Sequence, residues 1–118
     1  MASVSPAPGI GPYNVTKHGV LALSETLLGD LRAAGSTVGV SVVMPGRVAT
    51  GIGLPSGAPA PDFDDQAEPG ILRAEKVAEQ IMAAVEEDRL YVFTQPDRLE
   101  SVQARFDRIL NKRGASSP

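Results

Sequence analysis

The run Thr37-Val38-Gly39-Val40-Ser41-Val42-Val43-Met44 limits what this chain can fold into more than any other stretch. Its valines favour extended backbone, and the remaining residues are nearly all small or apolar, so no polar face is left for solvent. Such a run suits a strand covered on both faces, the situation of a parallel sheet sandwiched between helices. Pro45-Gly46 ends it.

The segments on either side fit that setting. Residues 12–34 read as a helix: Pro12 suits the first turn, and Gly35 stands where a C-terminal cap is expected. Val20, Leu23, Leu27 and Leu31 recur at helical spacing and predict one apolar face. Residues 45–73 read as a lid-like loop, with Pro45, Pro55, Pro59, Pro61 and Pro69 and an acidic cluster at Asp62, Asp64, Asp65 and Glu68. Connections this long are usually functional or mobile. Residues 74–113 predict helix, strand, helix. The first helix has a stripe of Val77, Ile81 and Val85, and the strand is Leu90–Thr94. The last helix opens on Asp97 and Glu100 at capping-box spacing and carries the stripe Leu99, Val102, Phe106 and Ile109. The tail after Arg113 is expected to fray. The alternation predicts an α/β fold, two parallel strands with flanking helices. Two strands alone leave both edges unpaired, so a further portion of sheet or another chain is expected to complete it.

Composition removes several classes of function. The chain has 118 residues, a length suited to one domain, and a net charge of -3 without a strongly basic face, which argues against nucleic acid as a partner. There is no cysteine, which excludes disulfides, thiol nucleophiles and cysteine-based zinc sites. One histidine and irregularly spaced carboxylates give no metal-site pattern. No apolar run is long enough to span a membrane, and Met-Ala-Ser-Val-Ser-Pro is not a secretory signal. The expected location is the cytoplasm.

Chemistry is most readily placed at Tyr13 and Lys17. Four residues apart at a helix start, they leave the same face. A phenol titrates near pH ~10, and a neighbouring ammonium stabilises the phenolate. The pair can then exchange a proton with an alcohol or carbonyl oxygen. The spacing alone is equally that of an ordinary solvated helix start.

The surrounding residues are more specific. Gly11-Pro12-Tyr13-Asn14-Val15-Thr16-Lys17-His18-Gly19-Val20 closely resembles the catalytic helix of the short-chain dehydrogenase/reductases. Val43-Met44-Pro45-Gly46-Arg47-Val48-Ala49-Thr50 is similar to that family's Pro-Gly-x-Val-x-Thr turn, and the remaining elements follow the family's order along the whole chain. The resemblance implies a partial Rossmann-like, doubly wound fold. It also implies an oxidoreductase that interconverts a small alcohol and a carbonyl compound with NAD or NADP. Tyr13 would be the general acid/base, and Lys17 would bond the nicotinamide ribose and assist Tyr13. Pro45, Gly46 and Val48 would line the nicotinamide site, and Thr50 would bond the carboxamide or a phosphate. Ser3, ten residues before Tyr13, is either the family's substrate-polarising serine with a shortened loop after it or an N-terminal residue without a role. Asn14 is ambiguous. His18 is expected at the surface or an interface, and Arg32 and Arg47 are expected to be solvated.

Other family features are missing. Gly9-x-Gly11 runs into Pro12 and Gly51-x-Gly53 into a proline-rich loop, so neither makes the strand-to-helix turn that holds a pyrophosphate. The resemblance therefore implies the family's C-terminal half. Two functions are consistent with that: a truncated or split dehydrogenase, or an inactive remnant acting as an interaction or dimerisation module. A homo-oligomer or a missing N-terminal half is the expected partner.

Overall fold

A computed structural model describes residues 3–52, 55–56, 58–59, 70–96 and 99–111. The chain opens with a turn-rich segment and enters helix α1, Gly11–Ala33. Pro12 lies in its first turn, and no side chain caps its start. Its end is closed by two backbone bonds: the Gly35 amide donates to the Arg32 carbonyl at 3.0 Å, and the Ser36 amide donates to the Leu31 carbonyl at 2.9 Å. This paired closure needs a left-handed residue between them, and Gly35 supplies it at φ 71°.

Four short strands follow in chain order around a second helix: β1 Val42–Met44, β2 Arg47–Ala49, β3 Ile71–Arg73, α2 Ala74–Glu86 and β4 Tyr91–Phe93, with helix α3 at Leu99–Leu110. β1 pairs in parallel with β4 in the register Val42 to Tyr91 and Met44 to Phe93. β2 pairs in parallel with β3 in the register Arg47 to Ile71 and Ala49 to Arg73. The fold is thus α/β with parallel strands flanked by helices, but it has two small sheets where sequence patterning predicts a single pair of strands. The second pair lies at the two ends of the segment expected to be loop. Arg-Val-Ala and Ile-Leu-Arg are too short for alternation to register, and only their mutual pairing makes them strands. The middle of that segment, including Asp62, Asp64, Asp65 and Glu68, lies outside the described residues, as do Asp97 and the tail after Arg113.

The strand expected at 37–44 is ordered as strand only over Val42–Met44. A ladder requires a partner, and among the described residues β1 pairs with β4 alone, whose length sets the limit. Val38, before the ladder, is exposed.

The core is made by Val4, Val42 and Met44, with Leu21, Leu90, Phe93 and Val102 packed against it. It therefore joins the N-terminal segment, α1, the β1–β4 pair and α3. Met44 is only 1 % exposed. The α1 face turned inward is not the one the spacing suggests. Leu21, Leu28 and Leu31 are partly covered and Asn14 is buried, whereas Val20, Leu23 and Leu27 are exposed, Leu23 at 68 %. Helix α1 is apolar on two faces, and periodicity cannot say which of two such faces meets the sheet. Similarly, α2 buries Ala84 rather than Val85, because the side chain without bulk allows the helix close to its neighbours. In α3 Val102 reaches the core, while Phe106 and Ile109 stay exposed.

Helix α2 ends like α1, with Asp88 in the left-handed position at φ 51° and the Arg89 amide donating to the Ala84 carbonyl at 2.9 Å. Aspartate tolerates this conformation better than most residues. Its carboxylate also pairs with Arg32 at 3.2 Å across the helix ends. Arg32 is thus paired as well as solvated; an ion pair this exposed adds little stability.

Candidate functional site

Tyr13 and Lys17 stand on the first turns of α1, beside the C-terminal end of β1. The Lys17 Nζ lies over the Tyr13 ring, 5.5 Å from its centroid, within cation–π range. Tyr13 is about half exposed, so its hydroxyl is reachable from solvent.

Two cavities meet at Tyr13. The smaller, about 80 Å³, is lined by Ser3, Tyr13, Lys17, Val20, Pro45 and the edge of β1. The larger and more open, about 490 Å³, is lined by Tyr13, Gly46, Arg47, Val48, Thr50, Ile52 and Ile71. Its size falls in the range of ~300–1,000 Å³ usual for small-molecule sites. The sequence-predicted residues therefore divide between two adjoining spaces, with Tyr13 in the wall of both. Ser3, Lys17 and Pro45 belong to the first, and Gly46, Val48 and Thr50 to the second.

Ser3 is buried, not loose. Two side chains fix the segment that carries it. Asn14 Nδ2 donates to the Ala7 carbonyl at 2.7 Å, and the Ala7 amide donates back to Asn14 Oδ1 at 3.4 Å. From α3, Arg105 donates to the Val4 carbonyl at 3.2 Å. In the sequence Asn14 is ambiguous and Arg105 is inconspicuous. A signal for Asn14 existed: asparagine is a poor helix former, and one in the first turn of a long helix calls for a reason. Nothing local marks Arg105, whose partner is 101 positions away.

His18 is half-buried. Its Nδ1 donates to the Asn14 carbonyl at 2.8 Å, and its Nε2 is buried without a protein partner. Thr50 is exposed, and its hydroxyl oxygen accepts the Ile52 amide at 3.4 Å. That contact uses the oxygen as acceptor and leaves the hydroxyl hydrogen free to donate. Arg47 is exposed at the rim of the larger cavity, as expected of a solvated residue. Among the described residues no group of three or more histidine, aspartate and glutamate side chains could hold a metal ion, and no helix is long and apolar enough to cross a membrane.

No family model matches the chain. Two relatives are each 34% identical to it: the 1-deoxy-11-beta-hydroxypentalenate dehydrogenases of Streptomyces exfoliatus, over 105 residues, and of Streptomyces arenae, over 109 residues. Both matches cover 86% of this chain, and they cover 34% and 35% of the relatives. A short-chain dehydrogenase/reductase from Burkholderia phymatum, solved in complex with NAD, superposes with a TM-score of 0.80 at 34% identity. That match covers 99% of this chain and 48% of the solved one. A putative short-chain dehydrogenase from Novosphingobium aromaticivorans gives a TM-score of 0.72 at 29% identity, covering 99% of this chain and 36% of the other. The chain spans about a third of the length of the curated relatives it matches and less than half of these solved structures. Over nearly all its length this chain is alike in sequence and in fold to part of the short-chain dehydrogenase/reductases.

Proposed function

We propose that the chain carries the proton-transfer residue and the nicotinamide-facing turn of an NAD(P)-dependent oxidoreductase that interconverts an alcohol and a carbonyl compound. The observation that carries this reading is the position of Tyr13 in the wall shared by the two cavities. A cofactor and a substrate held in these adjoining cavities would meet beside Tyr13.

The family resemblance implies a role for each side chain, and its chemistry suits that role. Tyr13 takes the proton of an alcohol or gives one to a carbonyl oxygen. Ser3, which also lines the smaller cavity, donates to the same oxygen and orients it. Lys17 brings positive charge to the Tyr13 ring and offers ammonium hydrogens to a ribose. Gly46 and Val48 present backbone and a small apolar side chain to a flat ring, with Pro45 beside them. Thr50 donates its hydroxyl hydrogen to a carboxamide oxygen or a phosphate. The cofactor, when bound, supplies the hydride acceptor or donor, and the protein supplies orientation and the proton. The residues fit the nicotinamide end. They do not include a glycine-rich strand-to-helix turn for the pyrophosphate.

Titration of the isotopically labelled chain with nicotinamide mononucleotide, followed by amide NMR, tests the reading. The expected result is weak, saturable movement of the Gly46, Val48 and Thr50 amides, with no such movement for adenosine monophosphate. Absence of movement at these positions, or equal movement with both nucleotides, overturns it.

A second reading rests on a different observation. Helix α1 exposes Val20, Leu23 and Leu27 together, and β1 has β4 as its only strand partner among the described residues. Both features favour association with another polypeptide, a second copy or a complementary piece of sheet, and a module with that role alone would need no turnover.

A further inference from the structure

Gln95 follows β4 by two positions and is 5 % exposed. Its Nε2 donates twice, to the Gly70 carbonyl at 2.7 Å and to the Arg47 carbonyl at 3.2 Å. Both amide hydrogens are thereby used. The reverse orientation of the amide would set its oxygen against two carbonyl oxygens, so the hydrogen-bond pattern fixes which atom is which. The Oε1 is buried without a protein partner and rests against Gly46. A Cβ at position 46 would collide with the Gln95 amide, so the turn admits only glycine there while Gln95 keeps this place.

The two carbonyls that accept from Gln95 belong to the points where the second sheet begins. Arg47 is the first residue of β2, and Gly70 immediately precedes β3. Gln95 itself lies at the C-terminal end of the first sheet. One side chain therefore fastens the start of both strands of one sheet to the end of the other. Along the backbone, only Pro45-Gly46 links β1 to β2.

We propose that Gln95 is a positioning residue that sets the β2–β3 pair against the β1–β4 pair, and through it the place of Val48 and Thr50 relative to Tyr13. The consequence for cofactor binding rests on the function proposed above; the bracing itself does not.

The test compares the full chain with its Gln95→Met variant, which keeps the length of the side chain and removes both donors. Amide hydrogen exchange is read at Val48, Ala49 and Leu72, and separately at Met44 and Val92. Loss of two buried hydrogen bonds confined to this junction is expected to speed exchange in the β2–β3 pair by roughly tenfold, with the β1–β4 amides unchanged. Equal acceleration in both sheets, or in neither, overturns the proposal. Gly46→Ala gives a second reading if Gln95→Met does not fold. Its methyl group displaces the same amide, so the β2–β3 amides again exchange faster than those of β1–β4, and an unchanged pattern overturns the proposal. Nicotinamide mononucleotide titration of both proteins separates the two ideas. Shifts at Val48 and Thr50 that weaken in Gln95→Met extend the brace to the cofactor site. Selective exchange without any shift in the wild-type chain leaves the brace standing and removes the cofactor reading. Shifts of equal strength in both proteins overturn the claim that Gln95 sets the site.

Discussion

Asn14 and Ala7 exchange hydrogen bonds in both directions, side-chain amide to carbonyl at 2.7 Å and backbone amide to side-chain oxygen at 3.4 Å. The residue next to Tyr13 thus fixes the loop that carries Ser3. Asn14→Ala leaves the Ala7 carbonyl without this partner and is expected to destabilise the chain by about 1–3 kcal/mol. Urea denaturation measures this directly. The same variant should lose protection from exchange at Val4 and Ala7 before it does at Met44.

Tyr13 is half exposed, and its hydroxyl has a proposed chemical role rather than a structural one. Tyr13→Phe keeps the ring beneath Lys17 and should change stability by no more than about 0.5 kcal/mol. In any preparation with alcohol or carbonyl turnover, the same substitution should lower the rate by about 10²–10⁴-fold, the usual contribution of a placed acid or base. A melting curve and a cofactor-absorbance assay on the same sample check both halves. Full activity in Tyr13→Phe would refute the assignment.

The two apolar faces of α1 should respond differently to truncation. Leu21 packs against the core, and Leu21→Ala is expected to cost about 2–3 kcal/mol, the lower part of the range for buried leucines because it is only partly covered. Leu23 is 68 % exposed, so Leu23→Ala should leave the monomer's stability nearly unchanged. Leu23→Glu combined with Leu27→Glu should reduce self-association, as read by light scattering across a concentration series. An unaltered scattering profile would remove this face as an association surface.

The Tyr91 hydroxyl donates to Glu25 Oε1 at 2.8 Å, and this bond to a carboxylate holds the phenol above its ordinary value of 10.0. The folded state therefore keeps its proton to higher pH than the unfolded chain does. The contribution to stability is fully present below pH 10.0 and is lost as pH rises through the raised folded value. Tyr91 is exposed, so the effect is small. Wild-type and Tyr91→Phe denaturation midpoints should differ by a constant amount at neutral pH and converge in alkaline buffer. A difference that persists unchanged to the highest pH reached would contradict the hydrogen bond.

Much of the fold was legible because its signals are local. The valine run marks a strand, though only its end, Val42–Met44, pairs as one, and Gly35 marks the end of a helix, since left-handed closure leaves few alternatives to glycine. Tyr13, Lys17 and the Val43–Thr50 stretch stood out through a family resemblance that covers the chain. What could not be read depends on contacts distant in sequence. Arg47–Ala49 and Ile71–Arg73 are strands only because they meet. Leu21 rather than Leu23 turns inward because of where the sheet lies. Gln95 has no distinguishing neighbour, and its importance comes from two carbonyls on other elements. Ser3 remained open in the sequence for the same reason: its burial is decided by Asn14 and Arg105, not by the residues around it.

The pairing of Arg47 with Ile71 brings the two ends of the intervening segment to one place. The entropy of closing a connection grows only slowly with its length, by ~0.6 kcal/mol per doubling, so the pairing itself sets where the two strands start. In mechanical terms, a parallel ladder of three residue pairs acts as a clasp that holds stretches far apart in sequence side by side.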